Sequence, residues 1–396
     1  MRWVGWVLLC ICFLMAYLLR LSAGVLRIPL EADFSLSATA FGAMSSMVFY
    51  AYTLMQIPVG VLADSKGVRF TVTSGMTAAG AGAFIFAMAP APWLLFAGRV
   101  LMGMGVAVAF ISSVLFMAQN FSGGLFGTLS GITSFIGNSG GILAQAPLAV
   151  MIAALTWRTT FSILGLVCFA LALGCWFTIP PGGGGNPVSA AAIGRGVRSV
   201  LGKWQIFPVC ASYTATSACS LALSGTWGVS WVAAVLSRGD GPFFVSLLAA
   251  GTMCGAVASG RLSDIMRSRK KPLVIFAGGQ ALAWIVLVFA GRQLGGLALG
   301  ALFFFLGFFA GSIVISWAIA KEMNPSCTGL AVAVINTAAF FGVAVVTSLI
   351  GVLLDMGAHL PAAEAYRNAF LLPLAAAVTG FVLSLIAPET FGGWKE

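Results

Sequence analysis

Carboxylates are scarce in this sequence and missing from its apolar runs. Of 396 residues only ten are Asp or Glu and one is His. Glu31, Asp33, Asp240, Glu322, Asp355, Glu364, Glu389 and Glu396 map to loops or to the ends of apolar runs, and Asp64 and Asp264 to two short charged turns. With His359 also in a loop, the chain offers no acid/base constellation, and an enzyme is not expected. A proton-driven exporter of cationic drugs needs a buried acid to carry the proton and attract the cation, and no span interior supplies one. The eight cysteines, Cys10, Cys12, Cys168, Cys175, Cys210, Cys219, Cys254 and Cys327, lie almost entirely within apolar runs and form no spaced Cys/His set. Disulfide, zinc and haem sites are therefore not expected, and neither a metal nor a cofactor is assigned. No Gly-x4-Gly-Lys-Ser/Thr loop occurs, which argues against an ATP-driven pump. The longest hydrophilic stretch runs only from Pro180 to Trp204, too short for an appended soluble domain.

What fills the chain instead is apolar: 60% hydrophobic residues against 8% charged, with a mean hydropathy of +1.04. Lipid is its solvent. Spans of about 20 apolar residues can be marked roughly twelve times. They lie near Trp3 to Leu26, Ser37 to Leu62, Phe70 to Ala89, Trp93 to Met117, Leu125 to Leu155, Thr160 to Ile179, Ile206 to Leu236, Pro242 to Leu262, Leu273 to Ala290, Leu297 to Ala320, Thr328 to Leu354 and Arg367 to Ala387. The first span is too long for a signal peptide and lacks a small-residue cleavage site, so it is expected to stay in the mature protein. With the N-terminus inside, Arg27, Arg158, Arg238, Arg292 and Arg367 fall on the outer face, Arg20 and Arg99 lie within spans, and the other 13 of the 20 basic residues fall on the inner face. The positive-inside rule therefore puts both termini and the central linker in the cytoplasm. Topology explains the formal charge of +10, so a nucleic-acid partner is not expected.

The sequence also repeats itself. Gly60-Val-Leu62-Ala-Asp64-Ser-Lys66-Gly67-Val-Arg69 recurs as Gly260-Arg-Leu262-Ser-Asp264-Ile-Met-Arg267-Ser-Arg269, with Gly, Leu, Asp and the last Arg displaced by 200 residues. Each copy follows a hydrophobic span, the second and the eighth, so both belong on one face of the bilayer. The Gly/Pro run Pro180-Pro-Gly-Gly-Gly-Gly-Asn-Pro187 cannot continue a helix and divides six spans from six. The expected fold is an all-α integral membrane protein of twelve transmembrane helices in two six-helix pseudo-repeats. Residues 1–180 form the first bundle, 181–204 a cytoplasmic linker and 205–396 the second bundle. Parallel repeats of this kind are a transporter architecture.

Here the chain resembles the major facilitator superfamily over nearly its whole length. The Gly-x-Leu-x-Asp turns with trailing basic residues are similar to that family's signature loop, and Gly98-Arg99-Val-Leu-Met-Gly103-Met-Gly105 is similar to its fourth-span signature. Physically, Asp64 suits the amides and positive dipole end at the start of the eleventh span, near Thr328 and Gly329. By symmetry Asp264 suits the start of the fifth, near Gly124 and Leu125. The resemblance implies that these contacts latch the cytoplasmic side shut, with Gly60, Asp64, Lys66, Gly67 and Arg69 on one copy and Gly260, Asp264, Arg267 and Arg269 on the other as the gating residues. A solvated turn that only sets topology is the alternative.

Within the spans, Phe13, Tyr17, Arg20 and Gly24 recur at helical spacing on one face. An Arg on lipid costs several kcal/mol, so Arg20 either lines a central cavity or snorkels to the outer interface. Tyr17-Leu-Leu-Arg20, with Pro29, Ser35-Leu-Ser37 and Gln56-Ile-Pro58-Val-Gly60, resembles the organophosphate and organic-anion branch of the superfamily. That resemblance implies a first-span Arg that binds the substrate's anionic group. Sugar-phosphate antiporters pair that Arg with another in the seventh span, where this chain has Tyr213, Thr214, Trp227 and Trp231 and no Arg. A single Arg suits one carboxylate or a delocalised anion. Further candidate substrate contacts are Tyr50, Tyr52, Gln56, Arg99, Asn138, Gln145, Tyr213, Trp231, Trp317 and Asn336. Asn138 and Asn336 sit in the corresponding fifth and eleventh spans, where they serve either substrate or helix packing. Pro388-Glu389-Thr390 resembles a tripeptide of sugar porters and carries little weight.

The expected function is secondary or facilitative transport of a small organic anion, a carboxylate or phosphate ester, by alternating access. A drug or metabolite exporter of the same fold and a transport-inactive membrane sensor are the alternatives. The expected setting is a multi-pass monomer in the lipid bilayer of the bacterial inner membrane.

Overall fold

Without water inside the bilayer, a chain this apolar must satisfy its backbone within each crossing, which leaves helices as the available structure. A computed structural model describes residues 2–121, 123–182 and 190–392, and among these no strand occurs. The glycine run of the linker from residue 183 onward, and Lys395, lie outside the described residues. The helices are α1 (Arg2–Leu21), α2 (Arg27–Phe34), α3 (Ala38–Ala87), α4 (Pro92–Asn120), α5 (Gly123–Leu143), α6 (Ala146–Leu155) and α7 (Trp157–Thr178). After the linker come α8 (Ala190–Leu201), α9 (Ile206–Leu236), α10 (Gly241–Ile265), α11 (Lys270–Gln293), α12 (Gly296–Met323), α13 (Thr328–Met356) and α14 (Ala362–Ser384).

Ten of these helices are long and apolar enough to cross a membrane, or eleven when α5 and α6, bent by 46°, are taken as one crossing. A straight α3 would extend about 75 Å at 1.5 Å per residue, over twice the hydrocarbon thickness. It is not straight: Gly67 has φ 82° and ψ 167°, a non-helical conformation that strongly favours glycine. Divided there, α3 supplies two crossings, which brings the total to twelve.

The packing forms two compact units, Met1–Leu36 with Met44–Val188, and Ser37–Ala43 with Ser189–Glu396. In the first, α1 lies against α4 and α5. There a Cβ on Gly137 would come within 2.1 Å of Phe13, and one on Gly140 within 2.2 Å of the Leu14 carbonyl. In the second, α10 and α12 cross on two small-residue pairs. A Cβ on Gly251 or Gly255 would meet the carbonyls of Phe304 and Phe308 at 2.0 and 1.8 Å, and one on Gly307 would meet that of Leu248 at 1.9 Å. Such contact replaces hydrophobic attraction, which lipid does not supply.

Two features were not read from the sequence. The end of the expected linker is helical: α8 packs on α13, burying Val200 with Ile206 and Tyr213, and Lys203 Nζ donates to the Met323 carbonyl at 2.6 Å. The first turns of α3 also belong to the second unit. Asp355, near the end of α13, accepts from the Ala38 amide at 2.9 Å and the Thr39 amide at 2.8 Å, capping α3. Close backbone approach at Gly351 and Gly42 and the Phe41 ring against Trp227 complete that seat.

Candidate substrate contacts and the charged turns

In the first unit Arg20 is 5% exposed. Its guanidinium lies over the ring of Tyr17 at 4.2 Å and that of Tyr52 at 5.2 Å, so it turns toward α3. Both contacts are made with aromatic rings, which a planar, delocalised guanidinium suits. Tyr50 is half-buried and Gln56 buried, both on α3.

Arg99 has a different task from the substrate contact expected of it. It is fully buried, and its NH1 donates to the Leu19 carbonyl at 3.0 Å and to Ser22 Oγ at 3.2 Å. Ser22 Oγ donates to the same carbonyl at 2.9 Å, and Gln145 Nε2 to the Leu21 carbonyl at 3.2 Å. Three side chains thus satisfy the end of α1 and fix the helix turn that carries Arg20. Asn138 Nδ2 donates to the Ser134 carbonyl of its own helix at 2.7 Å, while helix packing at this level belongs to the neighbouring glycines.

In the second unit three of the expected residues meet. Tyr213 donates to Asn336 Oδ1 at 2.6 Å, and Trp317 Nε1 donates to the same oxygen at 3.0 Å. Two donors on one oxygen set the amide's orientation, and Nδ2 makes no hydrogen bond among the described residues. Trp231 is not part of this cluster. It lies about 27 Å further along α9 at 1.5 Å per residue, beyond the π-helical turn Leu223–Trp227, packed on Phe303 and Gly291.

The two charged turns are built differently. In the first copy Asp64 and Lys66 are exposed, and Asp64 makes no hydrogen bond or ion pair among the described residues. Gly67 makes the break in α3, and Arg69 stacks on Trp176 at 4.0 Å. In the second copy Arg269 reaches Glu322 Oε1 through Nε and NH2 at 3.0 and 2.9 Å, and Asp264 and Ser263 through NH1 at 3.0 and 2.9 Å. Glu389 accepts from the Arg269 amide at 2.8 Å and from Ser268 Oγ, capping α11. Thr390 Oγ1 donates to Glu322 Oε2 at 2.6 Å. Burial works against charge on Glu389, but these hydrogen bonds prevail and hold its carboxyl below the usual range. Arg267, 200 residues after Gly67, also has positive φ, 47°. A Cβ at Gly60 or Gly260 would meet nothing within 4 Å.

Sequence reasoning missed Glu322 and Asp355, seen only as carboxylates at span ends, and set aside Glu389 and Thr390, although their tripeptide was the available signal.

Comparison with known proteins places this geometry. The Major Facilitator Superfamily description matches residues 8–347. Relatives include an uncharacterized transporter, YybO, of Bacillus subtilis, 27% identical over 44% of this chain and 40% of its own length. A probable sulfoacetate transporter, SauU, of Cupriavidus necator is 25% identical over 40% of this chain and 37% of its own. A probable L-galactonate transporter of Escherichia coli is 28% identical over 41% and 36%. The aligned part thus spans well under two thirds of these relatives. Among solved structures, an inward-facing bacterial homolog of the lysosomal transporter Spinster has a TM-score of 0.77 at 16% identity, covering 98% of this chain and 97% of its own. A D-xylose-proton symporter has 0.71 at 16%, covering 96% and 97%. These likenesses are of fold. With the duplicated turns, twelve crossings and a family match over most of its length, the chain belongs to the Major Facilitator Superfamily of membrane transporters.

Proposed function

We propose that this protein carries a small organic anion, a carboxylate, sulfonate or phosphate ester, across a bacterial inner membrane, with Arg20 as the contact for the charged group. The observation that carries this reading is a guanidinium 5% exposed and stacked between Tyr17 and Tyr52, in a chain whose span interiors hold no carboxylate. A buried cation of this kind attracts an anion and repels a cation. The names of two relatives, transporters of sulfoacetate and L-galactonate, favour the same class. In the second unit Asn336, its oxygen held by Tyr213 and Trp317, is a further candidate contact. Tyr17, Tyr50, Gln56 and Asn138 are secondary candidates, and Arg99 acts by positioning α1. Asp64 and the basic residues around it are the proposed cytoplasmic latch, with both termini on that face.

Proteoliposome flux and thermal stabilisation against carboxylates, sulfonates, sugar phosphates, amino acids and cationic drugs test this reading. An anion is expected to be carried and to raise the unfolding midpoint, with Arg20→Ala losing both. Stabilisation by the anion that persists in Arg20→Ala would remove Arg20 from the site. Flux of cations alone would overturn the anion assignment, and binding without flux would make the protein a sensor.

A further inference from the structure

Five basic residues belong to the membrane face opposite the duplicated turns, the face on which the positive-inside rule disfavours them. Three are neutralised by neighbouring acids: Arg27 by Glu31 at 3.8 Å, Arg158 by Asp33, and Arg238 by Asp240. Asp33 also accepts from Trp157 Nε1 at 3.0 Å, and Arg158 with Trp157 holds its carboxyl below the usual range. Arg292 and Arg367 have no ion pair among the described residues, and both line one cavity of about 190 Å³ in the second unit. The cavity opens where the ends of α9 and α11 and the start of α14 meet. Trp231, Phe289 and Phe370 form its apolar wall, and Glu364 is its single acid.

We propose that this cavity binds the phosphate of an anionic phospholipid, with Arg292 and Arg367 as its ligands. The chemistry is that of guanidinium and phosphate, which pair through parallel N–H donors, and the buried Trp231 closes the inner wall of the cavity. Size decides against a whole metabolite: sites for drug-sized ligands run to about 300–1,000 Å³, and this one holds a headgroup. The surroundings decide for a lipid over a free ion. Leu282, Ile285 and Phe289, 62%, 41% and 61% exposed, form a stripe along α11 that leads into the cavity at Phe289. Leu371, 44% exposed, continues α14 one turn beyond Arg367. An acyl chain laid on that stripe places its phosphate between the two arginines. The site is independent of the substrate reading, since neither arginine belongs to the proposed substrate contacts.

The test uses the delipidated protein in detergent, with unfolding midpoint and retained lipid by native mass spectrometry as readouts. Dioleoyl-phosphatidylglycerol is expected to raise the midpoint and stay bound, and dioleoyl-phosphatidylcholine to do neither. Arg292→Gln/Arg367→Gln is expected to weaken phosphatidylglycerol binding about tenfold, and Lys270→Gln/Lys271→Gln, on the opposite face, to leave it unchanged. Equal stabilisation by the two lipids would overturn the proposal, as would undiminished phosphatidylglycerol binding in the arginine pair or its loss in the lysine pair. Inorganic phosphate that stabilises the wild type as strongly as phosphatidylglycerol would overturn the lipid assignment in favour of a free-anion site.

Discussion

The two charged turns share a pattern of residues and differ in what holds them. In the second copy, carboxylates from three places, Asp264, Glu322 and Glu389, converge on Arg269 and the start of α11. In the first, Asp64 stands exposed and Arg69 rests on the face of Trp176. One turn is braced by a closed set of charge-assisted hydrogen bonds within its own half. The other keeps its carboxylate available. A duplicated motif therefore need not mean a duplicated role: the first copy leaves exposed the acid of the latch proposed above, while the second anchors α10, α11, α12 and the tail after α14 to one another.

Substitutions at the paired arginines probe this contrast most strongly. Arg269→Ala leaves Glu322 with only Thr390 and removes the ion pair of Asp264, and should cost about 2–3 kcal/mol, between an exposed and a fully buried pair. Arg69→Ala removes only a cation–π contact and should cost about 1 kcal/mol. Denaturant titration in micelles reads both, and equal losses would erase the asymmetry. Next comes the backbone. Gly67→Ala places a side chain at φ 82° and ψ 167° and should cost about 2 kcal/mol. At the matching position the change runs the other way: Arg267→Gly relieves a left-handed residue at φ 47° and should raise stability by about 1 kcal/mol. A loss there would mean that the Arg267 side chain, not its backbone, matters to the turn.

The smallest effect concerns pH. Because Glu389 has a lowered folded-state pKa, its contribution is present above the unfolded value of 4.5 and is lost as pH falls through the folded one. The unfolding midpoint should therefore drop more steeply below about pH 4.5 in the wild type than in Glu389→Gln. Parallel curves for the two would show that the cap on α11 carries no weight.

Much of this was legible in the chain. Long apolar runs dictate helices in lipid, the 200-residue displacement gives the duplication, and the family match agrees with the resemblance drawn from the turns and the fourth span. At the level of the site, helical spacing put Tyr17 and Arg20 on one face, and Tyr213, Trp317 and Asn336 were candidates only as residues within spans; the sequence could not say that these three meet on one oxygen. What was not legible depends on tertiary approach. Arg99 resembles a substrate ligand until its partners prove to be the Leu19 carbonyl and Ser22 Oγ at the end of α1. Trp231 shares a span with Tyr213 yet lines a cavity with Arg292 and Arg367, away from Asn336. Glu322, Glu389 and Asp355 have no local pattern, because their partners lie 53, 120 and 317 residues away.

The seat of residues 37–43 bears on how such a protein can be taken apart. Severing the central linker to produce the halves as separate polypeptides leaves these residues attached to one fragment although they pack with the other. The second fragment would then present Asp355, Gly351 and Trp227 without the amides and ring that cover them. Co-expressed fragments should reassemble, whereas the second made alone would have to cover that surface by other means. A split-protein or domain-exchange design succeeds only if it carries the opening turns of α3 with the half that holds them.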